Sequence, residues 1–116
     1  MKQARILFGE LPRLTRDIVE GAIESQRDMR VVGHSGNASL DPAIRRLAAN
    51  IVIVHDGVVA DDLPLQLVCR HPHVKVVAIT DEGDAANVYE FRAVHLADPS
   101  PAALIDAIRA VLEEAE

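Results

Sequence analysis

The sequence predicts an α/β fold: a (βα)5 doubly wound open parallel sheet with helices on both faces. Three observations predict it. Short apolar runs alternate with longer stretches of helical period, five times along 116 residues. The runs at 51–54 and 76–79 carry no polar residue, as expected of strands covered on both faces. Helix start signals follow the runs, with a hydroxyl or carboxylate set before a proline or an apolar stripe. Right-handed crossovers then make 2-1-3-4-5 the expected strand order.

The first strand is Ala4–Phe8, and Pro12 opens a helix with Leu14, Ile18, Ala22 and Ile23 facing inward. Met29–Val32 is the second strand; Asp41-Pro42 opens a helix with Ile44, Leu47 and Ala48 inward. Ile51–Val54 follows, then a helix over Leu63–Val68 preceded by Asp61-Asp62 and stopped by Pro72. Val74–Ile79 is the fourth strand, with a short helix after Asp84 to about Arg92. Ala93–Leu96 is the fifth. Ser100-Pro101 opens the last helix, whose stripe is Leu104, Ile105, Ile108, Val111 and Leu112. No repeat or linker interrupts this order, so residues 1–116 form one domain, and "LEEAE" could begin a connection to something further.

Composition narrows the function. A net charge of −6, a single adjacent basic pair at Arg45–Arg46, 3 % aromatic residues and no Trp argue against direct nucleic-acid binding. The lone Cys69 excludes an internal disulfide and suits a reducing compartment, so a cytoplasmic location is expected. "MKQARILFGE" has too short an apolar run for a signal peptide, and no stretch approaches the roughly 18 apolar residues of a membrane span.

In a doubly wound sheet, ligands bind outside the carboxyl ends of the strands, beside the switch point between the first and third. That rule collects Gly9, Glu10, His34, His55, Asp56, Thr80, Asp81, Glu82, Ala97 and Asp98. The acids among them could hold a cation, although acids are also favoured at helix starts by the helix dipole.

Three segments resemble the receiver domain of two-component response regulators, above all the subgroup followed by a helix-turn-helix domain. "DMRVVGHSGN" (28–37) resembles the second strand and its turn, "HPHVKVVAIT" (71–80) the fourth strand with its terminal hydroxyl, and "DPSPAALIDAIRAVL" (98–112) the last turn and helix. The resemblance implies a flavodoxin-like fold, signal transduction and transcription regulation. It also implies a pocket in which an aspartate receives a phosphoryl group, with Mg²⁺ and a lysine offsetting the repulsion between phosphate and carboxylate.

This chain departs from that pocket at nearly every position. His55 stands where the acceptor aspartate is expected, and Asp56 follows one residue late, on the other side of an extended strand. Gly9 and Glu10 stand for the acidic pair, leaving one carboxylate for a metal that prefers several oxygens. Ala97 takes the lysine position; the two lysines, Lys2 and Lys75, fall at the opposite edge of the sheet. Thr80 alone matches. Val94 replaces the aromatic of the switching face, and the segments after His55 and Thr80 are shorter than in the family.

The expectation is therefore a pseudo-receiver that is not an enzyme, needs no cofactor and acts through protein contact. A second copy or a regulatory protein would bind through the last helix and its neighbours, with Glu90, Arg92, Asp106, Arg109 and Glu113 as rim charges. Two alternatives stand beside it. One is a working receiver phosphorylated on Asp56, with Mg²⁺ held by Glu10 and Asp56. The other is a small-ligand binder or enzyme using His34 and His55. Cys69, His71 and His73 alternate in "CRHPH", which is explained by a helix end and turn without a second ligand cluster for zinc. Gly33 and Gly36 in "GHSGN" lack phosphate-loop spacing and serve a turn. No nucleophile–base spacing is present.

Overall fold

A computed structural model describes residues 3–55, 63–80, 85–92 and 100–114, with side chains of the last helix described to Ala110. The elements are β1 (Ala4–Phe8), α1 (Arg13–Glu24), β2 (Met29–His34), a 3₁₀ turn at Asn37–Ser39, α2 (Leu40–Leu47), β3 (Ile51–His55), α3 (Leu63–Arg70), β4 (Lys75–Ile79), β5 (Ala86–Tyr89) and α4 (Pro101–Glu114). The five strands form one sheet in the order β2-β1-β3-β4-β5. This is the α/β architecture of a flavodoxin-like fold, mostly parallel, with β1 between β2 and β3.

The fifth strand corrects the expected layout. The helix expected from Asp84 to about Arg92 is replaced, among the described residues, by β5, which runs antiparallel to β4 with Val77 opposite Val88 and Ile79 opposite Ala86. The reason is length: a parallel return needs a crossover of a dozen or more residues, whereas antiparallel strands close over a short turn. Thr80 N–H donates to the Ala85 carbonyl at 3.0 Å, closing that turn. The strand expected at Ala93–Leu96 lies outside the described residues.

Strand alternation divides the core. Leu7, Val52, Val54, Val76 and Ala78 face α2 and α3 and pack with Leu40, Ala43, Ile44, Leu67 and Val68. Ile6, Phe8 and Ile53 face the other way and pack with Ile23 of α1. Arg5 ties β1 to the end of α2: its guanidinium donates to the Leu47 carbonyl at 2.8 Å and the Ala48 carbonyl at 3.1 Å, a cation at a helix carboxyl end. Ala48 itself is exposed and left-handed (φ 53°), because it terminates α2; the inward position expected of it belongs to Ala49.

α1 is rotated from the expected phase. Leu14 and Ile18 are 73 % and 64 % exposed and Ala22 is exposed, while Val19 and Ile23 meet the sheet. On the flank toward β2, the edge of the sheet, the Glu20 carboxylate meets His34 Nε2 at 3.0 Å.

Along α4, Leu104, Ile105 and Ile108 are 44 %, 49 % and 59 % exposed. The radius of gyration is 16.7 Å, against about 13 Å for a compact domain of this length. No helix among the described residues is long and apolar enough to cross a membrane.

Candidate functional site

The carboxyl rim beside β1 and β3 is built around the short segment Gly9–Glu10. Gly9 N–H donates to the Ile53 carbonyl at 2.8 Å, so the chain stays hydrogen-bonded to β3 one residue past the end of β1. Glu10 and Asn37 then form a reciprocal pair. Glu10 N–H donates to Asn37 Oδ1 and Asn37 N–H to Glu10 Oε2, each at 3.2 Å. The carboxylate that only the phosphorylated-receiver alternative would give to Mg²⁺ thus accepts from the backbone of the 3₁₀ turn.

There is no room beside it for a second carboxylate. A Cβ on Gly9 would lie 2.9 Å from Val54 Cγ1, 3.0 Å from Asn37 Oδ1 and 3.3 Å from Leu40 Cδ1. Val54 and Leu40 are fully buried, so neither can give way cheaply. Gly9→Asp, which restores the acidic pair of the resembling family, is therefore expected to lower stability by about 1–3 kcal/mol. A shift in urea midpoint measures it; a neutral or stabilising result would show the rim to be open.

His55 closes β3 at 8 % exposure, opposite Ile79 and on the face that carries Ile51 and Ile53. Thr80 contributes its hydroxyl oxygen to the β4–β5 turn, accepting Ala85 N–H at 3.3 Å. His34 stacks on Phe8, with ring centroids 5.4 Å apart and planes 14° from parallel, and is bonded to Glu20. β2 and β3 are separated by β1, about 10 Å across two strand spacings, and Phe8 fills the interval. His34 and His55 are therefore not gathered around a common point. Lys75 begins β4, about 13 Å along the strand from its carboxyl end, and meets Glu90 at 3.4 Å. Asp56, Asp81, Glu82, Val94, Ala97, Asp98 and Lys2 lie outside the described residues.

The "CRHPH" segment is structural. Cys69 is exposed on α3, whereas His71 is buried and its Nε2–H donates to Asp41 Oδ1. His73 stands edge-on to His71, with centroids 6.3 Å apart. Arg70 Nη1 donates to Asp41 Oδ2 at 2.8 Å. Asp41 thereby links the start of α2 to the end of α3. Its carboxyl is held below the ordinary value first by the His71 hydrogen bond; desolvation opposes this and Arg70 reinforces it. This cluster was missed by sequence reading, which took Asp41 only as a helix opener; nothing in the spacing of residues 30 apart announces the contact. Among the described residues, no group of three His, Cys, Asp or Glu could hold a metal ion.

An open pocket of about 340 Å³ lies at the opposite edge, between Gln3, Ala4, Asn50, Ile51, His73 and Lys75. Asn50 is already committed there, accepting Arg5 N–H at 2.8 Å and donating to the Gln3 carbonyl at 3.1 Å. Comparison of the chain with protein-family models and with curated proteins finds no match.

Proposed function

We propose that this chain is a receiver-like regulatory module, a pseudo-receiver of the cytoplasm that acts through protein contact and independently of aspartyl phosphorylation. The observation that carries the reading is at Gly9 and Glu10: one oxygen of the Glu10 carboxylate accepts Asn37 N–H, and Gly9 beside it is walled in by Val54 and Leu40, which leaves no space for the second acidic side chain. Both groups stand where the resembling family gathers its metal. His55 at the end of β3 adds to the argument, because a buried imidazole there is a poor stand-in for a phosphoryl-accepting carboxylate. Such a module signals by its surfaces, and the exposed apolar faces of α1 and α4 offer them.

The test is an amide NMR titration with Mg²⁺ and beryllofluoride, a phosphoryl mimic. Unchanged resonances at Glu10, His55, Asp56 and Thr80 are expected. Saturable shifts clustered on those four residues would overturn the reading in favour of a receiver phosphorylated on Asp56.

A further inference from the structure

The end of α2 meets the outer strand β2 at a cluster of arginines. Arg5 and Arg30 are register partners on β1 and β2, so their side chains leave the same face of the sheet from Cα atoms about 5 Å apart. That face carries α2, because the Arg5 guanidinium donates to the Leu47 and Ala48 carbonyls. Gly33 of β2 lets the helix come close: Leu47 Cδ1 lies 2.8 Å from where a Cβ on Gly33 would stand.

The phase of α2 adds a third arginine. Leu40, Ala43 and Ile44 face the sheet, and Asp41 turns to α3 through Arg70 and His71. α3 lies toward β4, so the opposite flank of α2 faces β2. At about 100° per residue, Arg45 shares the Asp41 flank and Arg46 falls on the flank toward β2. Arg30 and Arg46 are both exposed. Two guanidiniums therefore reach solvent at one corner, with that of Arg5 behind them.

Charge makes this corner unusual. The chain has 18 acidic residues against 12 basic ones, yet none of the ion pairs among the described residues engages Arg30 or Arg46, nor Asp28, the acid nearest to Arg30 in sequence. Like charges directly opposite on neighbouring strands repel. Arg5 offsets its share on the negative end of α2. An anion set between Arg30 and Arg46 offsets the rest.

The helix selects the kind of anion. A dianionic phosphate is held best at a helix amino end, where N–H groups point at it, whereas α2 turns its carbonyl end to this corner. A long polyanion such as a nucleic acid is repelled by the net charge of −6. Separate carboxylates avoid both penalties, and each guanidinium fork matches one of them bidentately. We propose that Arg30 and Arg46 form a docking corner for an acidic segment of a partner protein, each guanidinium taking one carboxylate. The proposal rests on the protein-contact reading above and names the chemistry of the contact.

The test is an amide NMR titration of the whole chain with an N-acetylated, C-amidated hexaglutamate peptide. Saturable shifts at Arg30, Gly33 and Arg46 are expected, weakening as sodium chloride is raised from about 20 to about 200 mM. Arg30→Gln with Arg46→Gln is expected to weaken binding roughly tenfold, the worth of two exposed pairs, with the circular dichroism spectrum unchanged. Arg13→Gln with Arg109→Gln, an equal loss of exposed charge on α1 and α4, is expected to leave binding as it was. Absent shifts, shifts spread over the arginines of the whole chain, equal weakening by the two double variants, or tighter binding of inorganic phosphate at the same corner would each overturn the proposal. The phosphoryl-mimic titration is read at other residues. A response there with the peptide response intact overturns only the pseudo-receiver reading, and a silent peptide beside a silent mimic overturns only the docking corner.

Discussion

Phe8→Ala is expected to destabilise the fold by about 3–5 kcal/mol, a large part of the roughly 5–15 kcal/mol that holds a domain of this size. Phe8 is fully buried and is the largest of the buried residues described in the cluster under α1, with Ile6, Ile23 and Ile53. Interiors of this kind are close-packed and relax only in part into the space a ring leaves. Its ring also supports the imidazole of His34, which holds Glu20. Removing it therefore loosens both the packing of α1 and its rotation about its axis. Ile53→Val, a smaller deletion in the same cluster, is expected to cost about 1 kcal/mol. Urea unfolding followed by circular dichroism measures both, and equal midpoints for the two variants would show that Phe8 has no such central role.

The second large effect is expected at Asp41 and His71. His71→Ala removes a side chain only 3 % exposed together with a charge-assisted hydrogen bond, and a loss of about 2–3 kcal/mol is expected. Asp41→Asn carries a pH signature as well. The folded carboxyl lies below its ordinary 3.8, principally through the hydrogen bond from His71. A depressed carboxyl contributes stability that is fully present above the unfolded value, about 3.9, and is lost as pH falls through the folded one. The unmodified protein should therefore weaken below about pH 4 more steeply than Asp41→Asn, which starts less stable at pH 7. Urea midpoints at pH 7 and pH 3 decide it; parallel declines in the two proteins would remove Asp41 from the account of acid unfolding.

What the sequence made legible was the order of elements and the sheet. Uninterrupted runs such as Ile51–Val54 have one economical use, a strand buried on both faces, and β1 to β4 all fall where the pattern puts them. The phase of α1 was not legible. Leu14, Ile18 and Ala22 form a stripe as regular as that of Val19 and Ile23, and periodicity alone cannot say which of two adjacent stripes meets the sheet. The contact on the other flank, Glu20 with His34, joins residues 14 apart and leaves no pattern. β5 was missed because "AANVY" is too short to declare a period, and the 13 residues between Ile79 and the strand expected at Ala93 are enough for a helical crossover. At the rim, the positions of Glu10, His55 and Thr80 followed from topology. That Glu10 is bonded to Asn37 depends on a turn whose shape no motif encodes.

Among the described residues, the two outer strands of the sheet carry a consequence for how chains meet. β5 is four residues long and is followed by Glu90, which is paired to Lys75. β2, at the other margin, is interrupted by a register shift between Ile6 and Leu7 of its partner and exposes Arg30 and His34. A brief strand, a bulge and charged side chains are the features that keep sheet margins from recruiting further strands and growing into fibrils. With both margins blunted, backbone-to-backbone extension of the sheet is discouraged, and association is left to side chains presented on the faces, where it can close on itself and stop.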